Sequence, residues 1–200
     1  MAGGPLDLES QLVFYRKYHF NHKNVAIHLG CIPLILLSAI ALATRTTILG
    51  KDHPYISTGS IVAWSYGLYY AALDWQLGIP SFGFLISFAY LIRSFYLSLE
   101  GPDAIISQTQ FTQIALGVHV VCWLAQFYGH AVHEKRAPAL MDNLLQALVL
   151  APFFVVFEVA FALGYKLDIK KTMDNKAGKL VMEMREKEKE QNREKEKKAA

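Results

Sequence analysis

The chain has 200 residues, 53% of them hydrophobic and only 18% charged, with a net charge of +3. A globular domain carries about 25% charged residues, so the shortage excludes an ordinary water-exposed surface over most of the length. The charge is also uneven: 12 of the 20 Lys/Arg lie from Tyr165 onward, where they alternate with acidic residues instead of forming a basic block, which argues against a nucleic-acid partner.

Residues 1–14 contain Asp7 and Glu9 and lack a basic stretch followed by an apolar run. No cleavable signal is expected there, and the first apolar span should serve as its own insertion signal. A membrane-crossing helix needs about 20 residues with few charges. Residues 25–44 and 56–73 are free of charge. Residues 75–99 carry only Arg93, close enough to the end to snorkel, and residues 111–129 carry none. Tyr66, Tyr69, Tyr70 and Trp75 cluster near span ends, as an interfacial belt does. Residues 143–157 are apolar but interrupted by Ala151-Pro152, which reads as a re-entrant or in-plane hairpin or as a fifth span. The expected fold is therefore all-α: a polytopic membrane bundle of about four transmembrane helices plus this Pro-broken element. Residues 1–165 would be membrane-embedded and residues 166–200 a charged cytosolic tail, in which residues 182–198 read as a solvated coil or helix. Cys31 and Cys122 sit in apolar runs without a partner motif, so both are expected to act as small buried hydrophobes.

Arg16, Lys17 and Lys23 precede the first span, Lys135 and Arg136 follow the fourth, and the segment 100–110 has no basic residue. The positive-inside rule then places both termini in the cytosol. Arg45 and Lys51, after the first span, pull the other way. Lys197 and Lys198 stand fourth and third from the last residue and resemble a dilysine signal read by cytosolic coat protein, which would retain the chain in the endoplasmic reticulum.

Seven histidines are present. Polar residues at membrane depth are costly and are functional candidates, and imidazole suits zinc, copper, iron and nickel. One group is Gly129-His130-Ala131-Val132-His133-Glu134-Lys135-Arg136, where the fourth span ends. On a helix His130 and Glu134 are one turn apart and share a face, and His133 shares it too, so an imidazole and a carboxylate could meet on one ion. The other group, His19, His22 and His28, lies at the mouth of the first span, with Asn24 a candidate helix cap. Under the charge-derived topology both groups reach the same membrane face. His119 lies eleven residues before His130, roughly 16 Å along a helix, too far to share an ion; a bond to another helix is its expected role. His53, in a loop, carries no expectation.

These same residues resemble a known family. The run Leu6-Asp7-Leu8-Glu9-Ser10-Gln11-Leu12, then Phe14-Tyr15, Tyr18-His19, Asn24-Val25 and His28 to Pro33, is similar to the opening of the Mpo1-like family. Gln126-Phe127-Tyr128-Gly129-His130 and the segment from Glu134 to Leu144 resemble its second signature. The resemblance covers roughly residues 6–165. It implies an endoplasmic-reticulum, Fe(II)-dependent dioxygenase that uses O2 to shorten long-chain 2-hydroxy fatty acids by one carbon, in phytosphingosine degradation. It also implies His19, His28, His130 and Glu134 as the metal and catalytic residues, with His22 and His133 of lower rank. Lys135 and Arg136 beside that site could hold the substrate carboxylate.

Two other readings remain open on the residues alone. One is a non-enzymatic membrane scaffold wedged by the hairpin around Pro152. The other is a zinc hydrolase using His130 and Glu134.

Overall fold

A computed structural model describes residues 4–50, 52–135 and 144–199. Among these residues the structure is helical, with one isolated bridge between Thr47 and Ser57. Seven α-helices follow in order: α1 (Leu8–Arg16), α2 (His22–Ala43), α3 (Thr58–Leu73), α4 (Trp75–Ser98), α5 (Gln108–Tyr128), α6 (Leu144–Ala162) and α7 (Leu167–Ala199). A π-helical turn, Gly129–Glu134, extends α5.

Each of the four apolar runs forms a helix where the sequence places it. The ends are set by side-chain caps: Asn21 on α2, Ser57 on α3, Asp74 on α4 and Ser107 on α5. Such caps satisfy backbone N–H groups that have no partner inside the helix. Three helical stretches are long and apolar enough to cross a membrane: His22–Ala43, Trp75–Ser98 and Gln108–Glu134. The α6–α7 pair, bent by 120°, is a fourth candidate if counted as one span. With 16 residues, α3 spans about 24 Å, and it packs as an antiparallel hairpin with α4 through the single residue Asp74. At Gly78 an added Cβ would lie 2.1 Å from the Tyr70 carbonyl oxygen, so this turn closes only around glycine.

The expected break at Ala151-Pro152 does not form. Helix α6 runs unbroken through Pro152. A helix-interior proline removes one backbone bond, here the one to the Leu148 carbonyl, but packing can hold the helix in apolar surroundings. Phe153, next to Pro152, stacks on Tyr70, and the Tyr70 hydroxyl donates to the Val149 carbonyl at 2.8 Å. Pro33 in α2 and Pro80 in α4 are likewise inside helices. The bend falls later, where Gly164 and Lys166 take positive φ. The start of α6 packs on Tyr18, and just past its end Lys166 pairs with Asp74. The α3–α4 turn also lies at the α1 end of the bundle, because the Tyr69 hydroxyl donates to the Pro5 carbonyl. Helix α6 thus begins and ends near α1 and lies across that end.

One further expectation is corrected. Arg93 does not snorkel outward: it is 5% exposed and donates to the Thr44 carbonyl (2.7 Å) and the Pro54 carbonyl (2.6 Å). Thr44 caps the end of α2, so the guanidinium satisfies one carbonyl left open there. The described side chains of the charged tail from Met182 onward lie at the surface, while the part before them packs on the body. The tail forms α7, whose Met173, Ala177 and Val181 are buried, the first two in one core with Leu12, Val13 and Tyr15 of α1. Arg16 joins α1 to α6 and α7 through Glu158 (3.5 Å) and Asp174 (2.8 Å), and Lys176 pairs with Glu9. Lys197 lies in α7; the side chain of Lys198 is outside the described residues, as is Arg136. Cys31 and Cys122 are free thiols that meet across α2 and α5.

Candidate metal centre

His19 lies in the short connection between α1 and α2, His28 in the second turn of α2, and His130 in the π-turn. All three are buried, at 2%, 3% and 4% exposure. One ring nitrogen from each lies within 4.8 Å of those of the other two, an arrangement able to hold one metal ion. The rings stand edge to face, with centroids 4.4 to 4.9 Å apart. Tyr15 stacks flat on His19 at 4.0 Å and fixes that ring.

Backbone hydrogen bonds set the tautomers. His19 Nδ1 lies 2.8 Å from the Tyr15 carbonyl, and His28 Nδ1 lies 2.9 Å from the Asn24 carbonyl. A carbonyl only accepts, so both Nδ1 atoms carry the proton and both Nε2 atoms present a lone pair. Metal-bound histidines are oriented in the same way by their second nitrogen. His19 Nε2 and His130 Nδ1 are buried with no hydrogen-bond partner. Buried polar atoms are rarely left unpaired, and a metal ion would satisfy a ring nitrogen from each residue. Burial, reinforced by His28 and His130, holds His19 well below its usual 6.5, so its imidazole stays neutral and ready to ligate.

Glu134 does not join this group. Its carboxylate accepts from the Asn21 backbone N–H at 2.7 Å and from Asn24 Nδ2 at 3.3 Å, tying the π-turn to the start of α2. Glu134 does stay near His130, as the spacing of four requires, but its carboxylate is taken up by Asn21 and Asn24. Asn24 is likewise not the cap of α2; Asn21 is. Asn24 is fully buried and connects two parts of the site, its carbonyl orienting His28 and its amide holding Glu134. Gly129 permits this contact: a Cβ there would lie 2.4 Å from Asn24 Oδ1.

The other candidates lie apart from the centre. His22 is exposed, and His133 packs its ring edge on Tyr128 while its carbonyl accepts from Asn21 Nδ2. Lys135 is exposed with φ 54°. His119 does bond another helix. Trp123 Nε1 donates to its Nε2 at 3.0 Å, so its Nδ1–H donates to Ser38 Oγ on α2 at 2.9 Å, and Ser38 donates to the Ile35 carbonyl.

The three histidines open onto a mostly apolar cavity of about 310 Å³ between α2, α5 and α6. From His28 to Ala39 on α2, and from His130 to His119 on α5, its walls extend eleven residues along each helix, roughly 16 Å at the helical rise. A neutral nitrogen cluster at the head of an apolar slot suits a molecule with a chelating polar end and a long alkyl chain.

Comparison with known proteins agrees with this geometry. The family described as "2-hydroxy-palmitic acid dioxygenase Mpo1-like" matches residues 6–163. A protein of Saccharomyces cerevisiae named 2-hydroxy-palmitic acid dioxygenase MPO1 is 38% identical over 175 residues, covering 88% of this chain and 92% of its own length. No solved structure matches. With the family signature running through all three clustered histidines, the chain belongs to the Mpo1-like family.

Proposed function

We propose that this chain is a membrane-resident, iron(II)-dependent dioxygenase that converts a long-chain 2-hydroxy fatty acid to the fatty acid one carbon shorter. The observation that carries this is the buried His19–His28–His130 cluster at the head of an apolar cavity. The overall change balances with one O2: 2-hydroxypalmitate and O2 give pentadecanoate, CO2 and water. No further oxidant or reductant is required.

Iron at the three imidazoles would supply the chemistry with O2. His19, His28 and His130 would hold such an ion and leave it open to further ligands. Tyr15 and Asn24 hold the rings of His19 and His28 in the orientation that presents their lone pairs. The apolar walls receive the alkyl chain, and α6 lies over the site and limits access of water. A zinc hydrolase acting through Glu134 is not favoured, because that carboxylate is engaged with Asn21 and Asn24. The scaffold reading loses its wedge, since α6 does not fold back at Pro152.

In this reading the protein resides in the endoplasmic-reticulum membrane and acts in sphingolipid degradation, with the metal centre on the cytosolic side. The basic residues Lys17, Lys23 and Lys135 all belong to the segments that bear the centre, which supports that orientation. The test is to incubate detergent-purified protein with 2-hydroxypalmitate under oxygen, with and without ferrous iron. Pentadecanoate formed only with iron is expected. No product with iron-loaded, folded protein would refute the activity, and stoichiometric zinc in place of iron would refute the cofactor.

A further inference from the structure

Among the described residues that line the cavity, one buried side-chain donor outside the histidine cluster has no partner. Gln126 is 5% exposed, lines the cavity, and its amide Nε2 is buried without a hydrogen-bond partner. A buried amide donor left unpaired costs about 1–3 kcal/mol, and native interiors rarely retain one. Its position is specific. Gln126 precedes His130 by four residues near the end of α5, so it stands one turn from a metal-ligating ring on the same wall of the cavity. The nearby His119, by contrast, has partners on both ring nitrogens. The basic residue expected from the sequence to hold the substrate, Lys135, is exposed.

We propose that the Gln126 side-chain amide is the donor that binds the carboxylate of the 2-hydroxy acid beside the three histidines. This rests on the dioxygenase reading above and adds the residue that selects an acid over other long-chain polar lipids. A neutral donor suits the place: in a low-dielectric cavity it forms a charge-assisted hydrogen bond with the carboxylate and leaves no buried cation when the site is empty.

The decisive variant is Gln126→Leu, similar in size and lacking the amide. Because the amide has no protein partner, a binding role predicts that Gln126→Leu keeps its iron content and its Tm, or raises the latter. Binding of 2-hydroxypalmitate to iron-loaded protein, measured without oxygen, should weaken tenfold or more, as expected for loss of a hydrogen bond to a charged acceptor. Hexadecane-1,2-diol, which keeps the hydroxyl and chain but lacks the carboxylate, should bind native protein and variant equally. Gln126→Asn should recover part of the acid binding. Equal binding of 2-hydroxypalmitate by native protein and Gln126→Leu would overturn the assignment while leaving the dioxygenase reading intact. Loss of fold or of iron in Gln126→Leu would make the amide structural and overturn it too. Failure of native iron-loaded protein to bind 2-hydroxypalmitate at all would refute the functional reading, and this proposal with it.

Discussion

Gly129→Ala tests whether the metal centre depends on the close approach of α2 and the π-turn. The new Cβ would lie 2.4 Å from Asn24 Oδ1, about 1 Å inside ordinary carbon–oxygen contact. Asn24 is fully buried, so it cannot swing into open space, and the two segments must separate. Overpacking of this kind costs roughly 1–3 kcal/mol, against a helix-propensity gain of at most about 1 kcal/mol for alanine over glycine. The displaced residue is the one whose carbonyl orients His28 and whose amide anchors Glu134. Losing such orientation typically weakens metal binding by about 10- to 100-fold. The assay is an anaerobic Fe(II) titration of detergent-purified protein against a competing chelator, with Tm measured in parallel. Gly117→Ala is the control, because nothing lies within 4 Å of its added Cβ on the same helix; it should bind iron normally. Combining Gly129→Ala with Asn24→Ala should bind iron no more weakly than Asn24→Ala alone, since the clash is gone. Native iron affinity in Gly129→Ala, or simple addition of the two costs in the double variant, would refute the reasoning.

Replacing His19, His28 or His130 by Ala should each remove nearly all iron and turnover, and removing two should cost little more than one; His119→Ala should retain iron and lose only roughly 1 kcal/mol of stability from its bonds to Ser38 and Trp123. Full activity and iron in His130→Ala would reject the site. Arg16→Leu leaves Glu158 without its cation and frees the His19 carbonyl, so stability should fall by about 3 kcal/mol with a parallel loss of iron affinity; an unchanged Tm would contradict this. For the metal-free protein, burial depresses the His19 pKa, so below the unfolded value of 6.5 the unfolded chain takes up a proton that the native state refuses. Stability should be undiminished above that pH and decline as pH falls beneath it, and His19→Leu should flatten part of the decline seen in Tm between pH 7.5 and 5.5.

The helices were legible because a charge-free apolar run of membrane length has few other solutions. The convergence of His19, His28 and His130 followed from two histidine groups at the mouths of spans that end on one side. The hydrogen bonds of Glu134 were hidden, because spacing puts its carboxylate near His130 without showing that the Asn21 N–H and the Asn24 amide donate to it. Asn24 and Gln126 were equally hidden, since a polar residue shows its purpose only when packing buries it. Pro152 misled because proline breaks helices in water but is tolerated inside them where neighbours pack on the segment, as Tyr70 does on Phe153. The packing of α7 did have a signal beneath its charges: Met173, Ala177 and Val181 recur every four residues, the spacing of one buried helix face.

That packing carries the mechanical unit of this protein past the end of its family match. The match stops at residue 163, yet Asp174 holds Arg16, and Arg16 Nη1 donates to the His19 carbonyl at 3.1 Å. A chain truncated at residue 163 would keep His19, His28 and His130. It would also expose the apolar side of α1 that Met173 and Ala177 cover and free the guanidinium that steadies His19. The last helix works as a splint on the one histidine of the cluster that is carried by a loop.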